Sequence, residues 1–169
     1  MDRIAARARV SKQTVYNHFG CKADLFAAIV RKRCDEMTHT LVFPKSGDTA
    51  EVLRQLARQF IEITLTPEAI ALYRTIICES ARCPELGAAF YAAGPDRITE
   101  SLAEYLNQRP GQSRMNLSRA RILAEQFFAM LHGHLQTRAL LGLSTAHPTQ
   151  RNAYLDQAVA MLLAAGYET

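Results

Sequence analysis

Apolar residues recur at three- and four-residue intervals along almost the whole chain, and no stretch keeps the two-residue alternation of a half-buried strand. That period points to an all-α fold. Leu25, Phe26, Ile29, Val30 and Met37 share one such spacing, and Leu53, Leu56, Phe60 and Ile63 share another. Punctuation residues fall between the periodic runs. Asp48 with Glu51 has the form of a capping box, Thr66-Pro67 and Cys83-Pro84 place proline in a first helical turn, and Gly142 and Gly166 suit helix ends. The spacing predicts helices over 2–8, 12–18, 22–41, 49–65, 67–82, 84–93, 95–108, 117–141 and 149–165.

A chain of 169 residues, 49% apolar and 21% charged, can bury a core of its own. Cys21, Cys34, Cys78 and Cys83 form no CxxC pair and have no histidine at zinc-ligand spacing, so reduced thiols in a cytoplasmic protein are expected. Charged residues interrupt every apolar run well short of the roughly 18 residues a membrane span requires, and no membrane association is expected. The sequence also has no glycine-rich phosphate loop, nucleophile elbow or metal triad. The expectation is therefore no enzyme, no cofactor and no metal.

The net charge of +4 is unevenly placed. Arg3, Arg7, Arg9, Lys12, Lys22, Arg31, Lys32 and Arg33 face only Asp2 and Asp24 across residues 1–33, giving that segment +6 and leaving the rest of the chain at −2. A basic segment on an acidic body fits nucleic-acid binding, since cationic side chains release counterions from phosphate. A solvated helix surface is the other reading. The polar run Phe43-Pro44-Lys45-Ser46-Gly47-Asp48 falls where the balance changes, dividing the chain into a head over 1–42 and a body over 48–169.

Within the head, Ile4, Ala5 and Ala8 offer a small apolar face on one short helix, Arg9 and Val10 form a turn, and Ser11 can cap the next helix. That is the logic of a helix-turn-helix. Val15 and Phe19, four apart, anchor the second helix, while Lys12, Gln13, Tyr16 and Asn17 occupy its other face, where they can meet base edges or phosphates.

The run Ala8-Arg9-Val10-Ser11, then Thr14-Val15-Tyr16-Asn17-His18-Phe19, then Lys22 and Leu25, resembles the DNA-binding signature of the TetR family of transcriptional regulators. Carried over by position, the resemblance implies that Lys12, Gln13 and Asn17 face bases in double-stranded DNA. Thr14, Tyr16, His18 and Lys22 would position the phosphate backbone. Residue chemistry leaves other roles open: Tyr16 suits a partly buried aromatic, His18 a cation at a helix end, and Thr14 a plain surface position.

The chain departs from the family pattern with Arg9 where a turn glycine is usual and Cys21 where a capping serine is usual. An L-residue with positive φ costs about 1 kcal/mol. Family members also carry a further helix before this motif. Because the sequence starts at Met1-Asp2-Arg3-Ile4, directly at the first helix of the motif, either this start is assigned too late, the chain is trimmed, or the head is incomplete at its N-terminus.

The body resembles the AefR-like branch of the same family through Tyr73-Arg74-Thr75-Ile76-Ile77, Phe90-Tyr91-Ala92-Ala93-Gly94-Pro95 and Phe127-Phe128-Ala129-Met130-Leu131. The resemblance implies an all-helical ligand-binding domain and a homodimer formed by the last two long helices. Periodicity nominates Phe60, Tyr73, Ile77, Phe90, Tyr91, Tyr105, Phe127 and Met130 as the lining of an apolar pocket. Glu79, Glu125, His132 and His134 can supply polar recognition there or can lie exposed. The implied function is a repressor on a palindromic operator, released by a small-molecule effector. The alternative is a dimeric small-molecule-binding or interaction module whose shortened head no longer binds DNA.

Overall fold

The structure, a computed structural model, describes residues 1–38, 41, 47–108, 115–144 and 148–167. Among these residues there is no strand. The order is α1 (Asp2–Ala8), α2 (Lys12–Phe19), α3 (Lys22–Thr38), α4 (Thr49–Thr64), α5 (Pro67–Ser80) and α6 (Pro84–Tyr91), then a π-helical turn (Ala92–Asp96), α7 (Arg97–Asn107), α8 (Leu117–Leu140) and α9 (Pro148–Tyr167). Residues 39 and 40 of the third expected helix lie outside the described residues. So do Phe43, Pro44, Lys45 and Ser46 of the expected boundary.

Local chemistry sets most helix starts. Ser11 Oγ accepts from the Thr14 amide at 2.9 Å, and Thr66 Oγ1 accepts from the Ala69 amide at 3.2 Å with Pro67 behind it. The expected capping box at α4 is only half formed. Asp48 accepts from the Ala50 amide at 3.3 Å, but Glu51 turns to Arg54 at 3.3 Å instead of reaching back.

Two expected helix ends are corrected. Pro95 lies inside the π turn and does not open a new helix, so α6 runs on into α7 without a loop. Proline donates no amide hydrogen and its ring crowds the carbonyl four residues back, and widening the turn accommodates both. Gly166 is likewise within α9, which continues to Tyr167.

Three apolar clusters lie along the fold. Ala5, Val15 and Leu25 form the first, with Met1 and Phe19 packed on it. Ala27, Val30 and Cys34 of α3 meet Ile76 and Leu86 in the second. The third and largest runs through α4, α7, α8 and α9, with Leu53, Leu102, Phe127 and Leu131 fully buried. The first two share one helix, because α3 gives Leu25 to one and Val30 to the other. Ile29, expected on the same face, is 49% exposed, and the Met37 side chain lies outside the described residues. Ile4 and Ala8, expected in the apolar face of α1, are also exposed, and Ala5 alone of that trio is buried.

Polar contacts link the helices. From α5, Arg74 donates to the carbonyls of Ala139 and Leu140 in the last turn of α8, at 3.0 and 2.9 Å. Arg97 pairs with Asp35 of α3, and Arg121 of α8 pairs with Asp96 at the end of the π turn. Within α8, Gly133 leaves helical geometry (φ 9°, ψ −111°) and bends the axis. The Tyr154 hydroxyl of α9 donates to the Met130 carbonyl beside this bend.

Candidate nucleic-acid interface and ligand cavity

Helix α2 stands on the small first cluster through Val15 and Phe19, which turns Lys12, Gln13, Thr14, Asn17 and His18 to solvent. Tyr16 is half-buried, in keeping with an aromatic body that packs and a hydroxyl that can reach out. Gln13 Nε2 donates to Asn17 Oδ1 at 2.9 Å, so the two amides one turn apart hold each other on the exposed face. Lys12 Nζ lies 3.0 Å from Asp2 Oδ1. That hydrogen bond and charge raise the lysine pKa and lower that of the Asp2 carboxyl. Thr14 Oγ1 lies 2.8 Å from Ser11 Oγ, and the His18 ring meets Phe19 edge-on with centroids 4.6 Å apart.

Both departures from the family signature have a local structural solution. Arg9 takes the left-handed conformation (φ 56°, ψ 39°), the one positive φ outside glycine among the described residues. Its amide still reaches the Ala6 carbonyl at 3.2 Å, so the turn closes without glycine. Cys21 caps α3 as serine would: the Asp24 amide donates to Cys21 Sγ at 3.4 Å, and the Cys21 amide donates back to Asp24 Oδ2 at 3.2 Å. Lys22 follows directly, exposed in the first turn of α3.

The body encloses a cavity of about 530 Å³ between α3, α4, α5, α6, the π turn, α7 and α8. Phe60, Tyr73, Ile77, Phe90 and Tyr91 line it. Ile77 and Tyr91 are 57% and 55% exposed, which puts them at its mouth. The other three nominated residues do not face it. Phe127 is fully buried in the large cluster, Tyr105 packs against that cluster from α7, and Met130 lies on α8 beside it. Tyr105, Phe127 and Met130 share the apolar spacing of lining residues, but spacing does not reveal which side of a helix a void adjoins.

Of the four polar residues expected either here or exposed, His132 reaches the cavity, from α8. Several other lining residues escape sequence reasoning: Cys34 from α3, Ser80 from α5, Thr99 from α7 and Gln136 from α8. A signal existed for Gln136, which follows Phe128 and His132 at four-residue steps on one helical face. Glu79, Glu125 and His134 lie exposed, Glu125 paired with Arg121 at 3.2 Å. His132 lies instead against Phe60, ring centroids 4.5 Å apart, and burial pushes its pKa down to about 4. Burial, followed by the neighbouring Asp35 charge, pushes the Cys34 thiol up to about 11, so it is uncharged at neutral pH.

Comparison with known proteins places both halves. Residues 1–29 match the family described as bacterial regulatory proteins, tetR family, and residues 51–169 match the AefR-like transcriptional repressor, C-terminal domain. Among solved structures, the flavonoid-responsive regulator FrrA is 30% identical with a TM-score of 0.80, covering 98% of this chain and 85% of its own. A TetR-family transcriptional regulator from Mesorhizobium loti MAFF303099 is 28% identical with a TM-score of 0.72, covering 95% and 83%. Another from Pseudomonas syringae pv. tomato str. DC3000, at 24% identity and a TM-score of 0.71 over 97% and 83%, shares the fold. No curated protein matches the sequence. With more than half its length matched by one family and its head by another of the same lineage, the chain belongs to the TetR family of transcriptional regulators, in the branch with an AefR-like C-terminal domain.

Proposed function

We propose that the protein is a cytoplasmic repressor that binds a palindromic operator as a two-headed homodimer and is released when a small apolar effector fills the cavity. In this reading residues 1–42 read DNA, with Lys12, Gln13 and Asn17 on base edges and Thr14, Tyr16, His18 and Lys22 on phosphates. Residues 48–169 bind the effector and dimerise. The dimer is supported by apolar and small residues exposed along the last two helices, Ile122, Ala129 and Gly133 on α8 and Tyr154, Ala160 and Met161 on α9.

The observation that carries the proposal is the double duty of α3. Its start packs on the DNA-reading helix through Leu25, and its far end contributes Cys34 to the cavity wall. A Cβ on Gly94 of the π turn would come within 3.3 Å of Cys34 Sγ, so cavity wall and α3 are in tight register. A ligand that displaces the π turn must displace α3, which carries the head. The effector then needs only to prefer the head spacing that no longer fits adjacent major grooves. FrrA is by name responsive to flavonoids, and an aromatic effector suits a cavity walled by Phe60, Phe128, Tyr73 and Phe90.

The experiment is selection of bound DNA from a random pool by the full chain, followed by a screen for compounds that release it. An enriched inverted repeat, lost on adding an apolar compound, is the expected result. A folded dimer that binds such compounds but enriches no DNA would instead be a small-molecule-binding module.

A further inference from the structure

Two buried side-chain atoms have no hydrogen-bond partner among the described residues, Gln59 Oε1 and His132 Nε2. Only His132 belongs to the cavity wall. The imidazole sits about two-thirds of the way along α8, beside the Phe60 and Phe128 rings, with its polar atom withdrawn from water and unpaired. A buried polar atom left this way destabilises the empty protein, and whatever satisfies it recovers that loss. No Asp, Glu, Lys or Arg lines the cavity among the described residues, so an ionised ligand would be desolvated there without a counter-charge. Two of the hydroxyls in the wall are already engaged. Thr64 donates to the Phe60 carbonyl and Ser80 to the Ile76 carbonyl, each within its own helix.

We propose that His132 is the polar selector of this cavity, and that the ligand it selects is an uncharged aromatic molecule bearing a hydroxyl group, which pairs with Nε2. The assignment rests on the cavity being the effector site. A hydroxyl both donates and accepts, so it can meet either neutral tautomer of the ring, whereas a carbonyl or an ether could meet only the protonated nitrogen. The ring is neutral well below physiological pH, which keeps it available as such a partner. The flanking Phe60 and Phe128 rings give an aromatic ligand its apolar and edge contacts.

The test compares 4-phenylphenol with biphenyl, two probes that differ by one hydroxyl, by calorimetry on the intact protein at pH 7. Hydrophobic transfer alone favours biphenyl, so a preference for the phenol has to come from a polar partner. The phenol is expected to bind at least about tenfold more tightly, the worth of one well-placed hydrogen bond. In His132→Phe the order should reverse. Equal binding of the two probes, tighter binding of biphenyl or no binding of either by the natural protein overturns the assignment without needing any variant. A phenol preference that survives in His132→Phe or His132→Leu also overturns it, and moves the selector to another lining group. Release from the selected operator is measured with the same probes. Release by both without discrimination leaves the effector reading standing while this assignment falls. Discrimination without release does the reverse.

Discussion

The head and the body carry their chemistry on opposite sides of their surfaces. In the head, Lys12, Gln13, Asn17 and Lys22 point outward from a core of Ala5, Val15 and Leu25, and almost every polar contact that shapes it spans ten residues or fewer. In the body, the candidate chemistry faces inward, around a void whose walls come from seven elements separated by as much as a hundred residues. A nucleic acid is a large rigid partner that a protruding helix can meet, so a small core suffices to hold that helix out. A small apolar ligand must be surrounded, and surrounding it takes a large core with one deliberate gap. Helix α3 joins the two arrangements.

The contrast can be broken most severely in the body. Phe127→Ala, at a position with no solvent exposure, is expected to cost about 3–5 kcal/mol, the range for deleting a buried aromatic ring. Phe90→Ala, on the cavity wall, should cost only about 1–2 kcal/mol, because its ring already borders empty space. Urea denaturation measures both. Equal losses would mean that the void is not a feature of the folded protein.

Next in size is a pH effect confined to the body. The unfolded chain protonates His132 near its ordinary pKa of 6.5, whereas the folded chain resists protonation down to about 4. Stability from this group is complete above pH 6.5 and declines as pH falls through the window from 6.5 to 4. At about 1.4 kcal/mol per pKa unit, the decline reaches roughly 3 kcal/mol. Unfolding midpoints for the natural protein and His132→Phe, compared from pH 7.5 to 4, should converge in slope if the histidine is instead solvated.

The head should respond through DNA affinity while its stability hardly changes. Gln13→Ala is expected to lose about 1–3 kcal/mol of discrimination at one base position per half-site and to leave nonspecific binding near its natural level. Lys22→Ala should weaken both kinds of binding and flatten the salt dependence by about one charge per head. Fluorescence anisotropy across a salt series separates the two. A change in sequence preference from Lys22→Ala, with none from Gln13→Ala, would place the wrong face of α2 in the groove.

The smallest effect is in the turn. Arg9→Gly removes the side chain that opposes φ 56°, partly offset by the extra freedom glycine gives the unfolded chain, and should stabilise the protein by about 0.5–1 kcal/mol. Arg9→Ala should not, because alanine meets the same clash. Equal midpoints for the glycine and alanine variants would show that the turn relaxes without strain.

By itself the sequence determined the helical fold, most helix boundaries and the exposed face of α2. These follow from neighbours within a turn or two: Ser11 lies three residues from the amide it caps, and Val15 and Phe19 lie four apart on one face. Helical period and capping are local physics, so they can be read from a single strand of text. The π turn at Pro95 could not be read this way, nor could the choice between cavity and solvent for His132. Only tertiary structure decided that α6 would pass unbroken into α7 beside Cys34, and that Phe127 would fill the core while Phe128 faced the void. Adjacent residues on a helix differ by about 100° in direction, and whether a direction meets packed side chains or a gap depends on helices far along the chain.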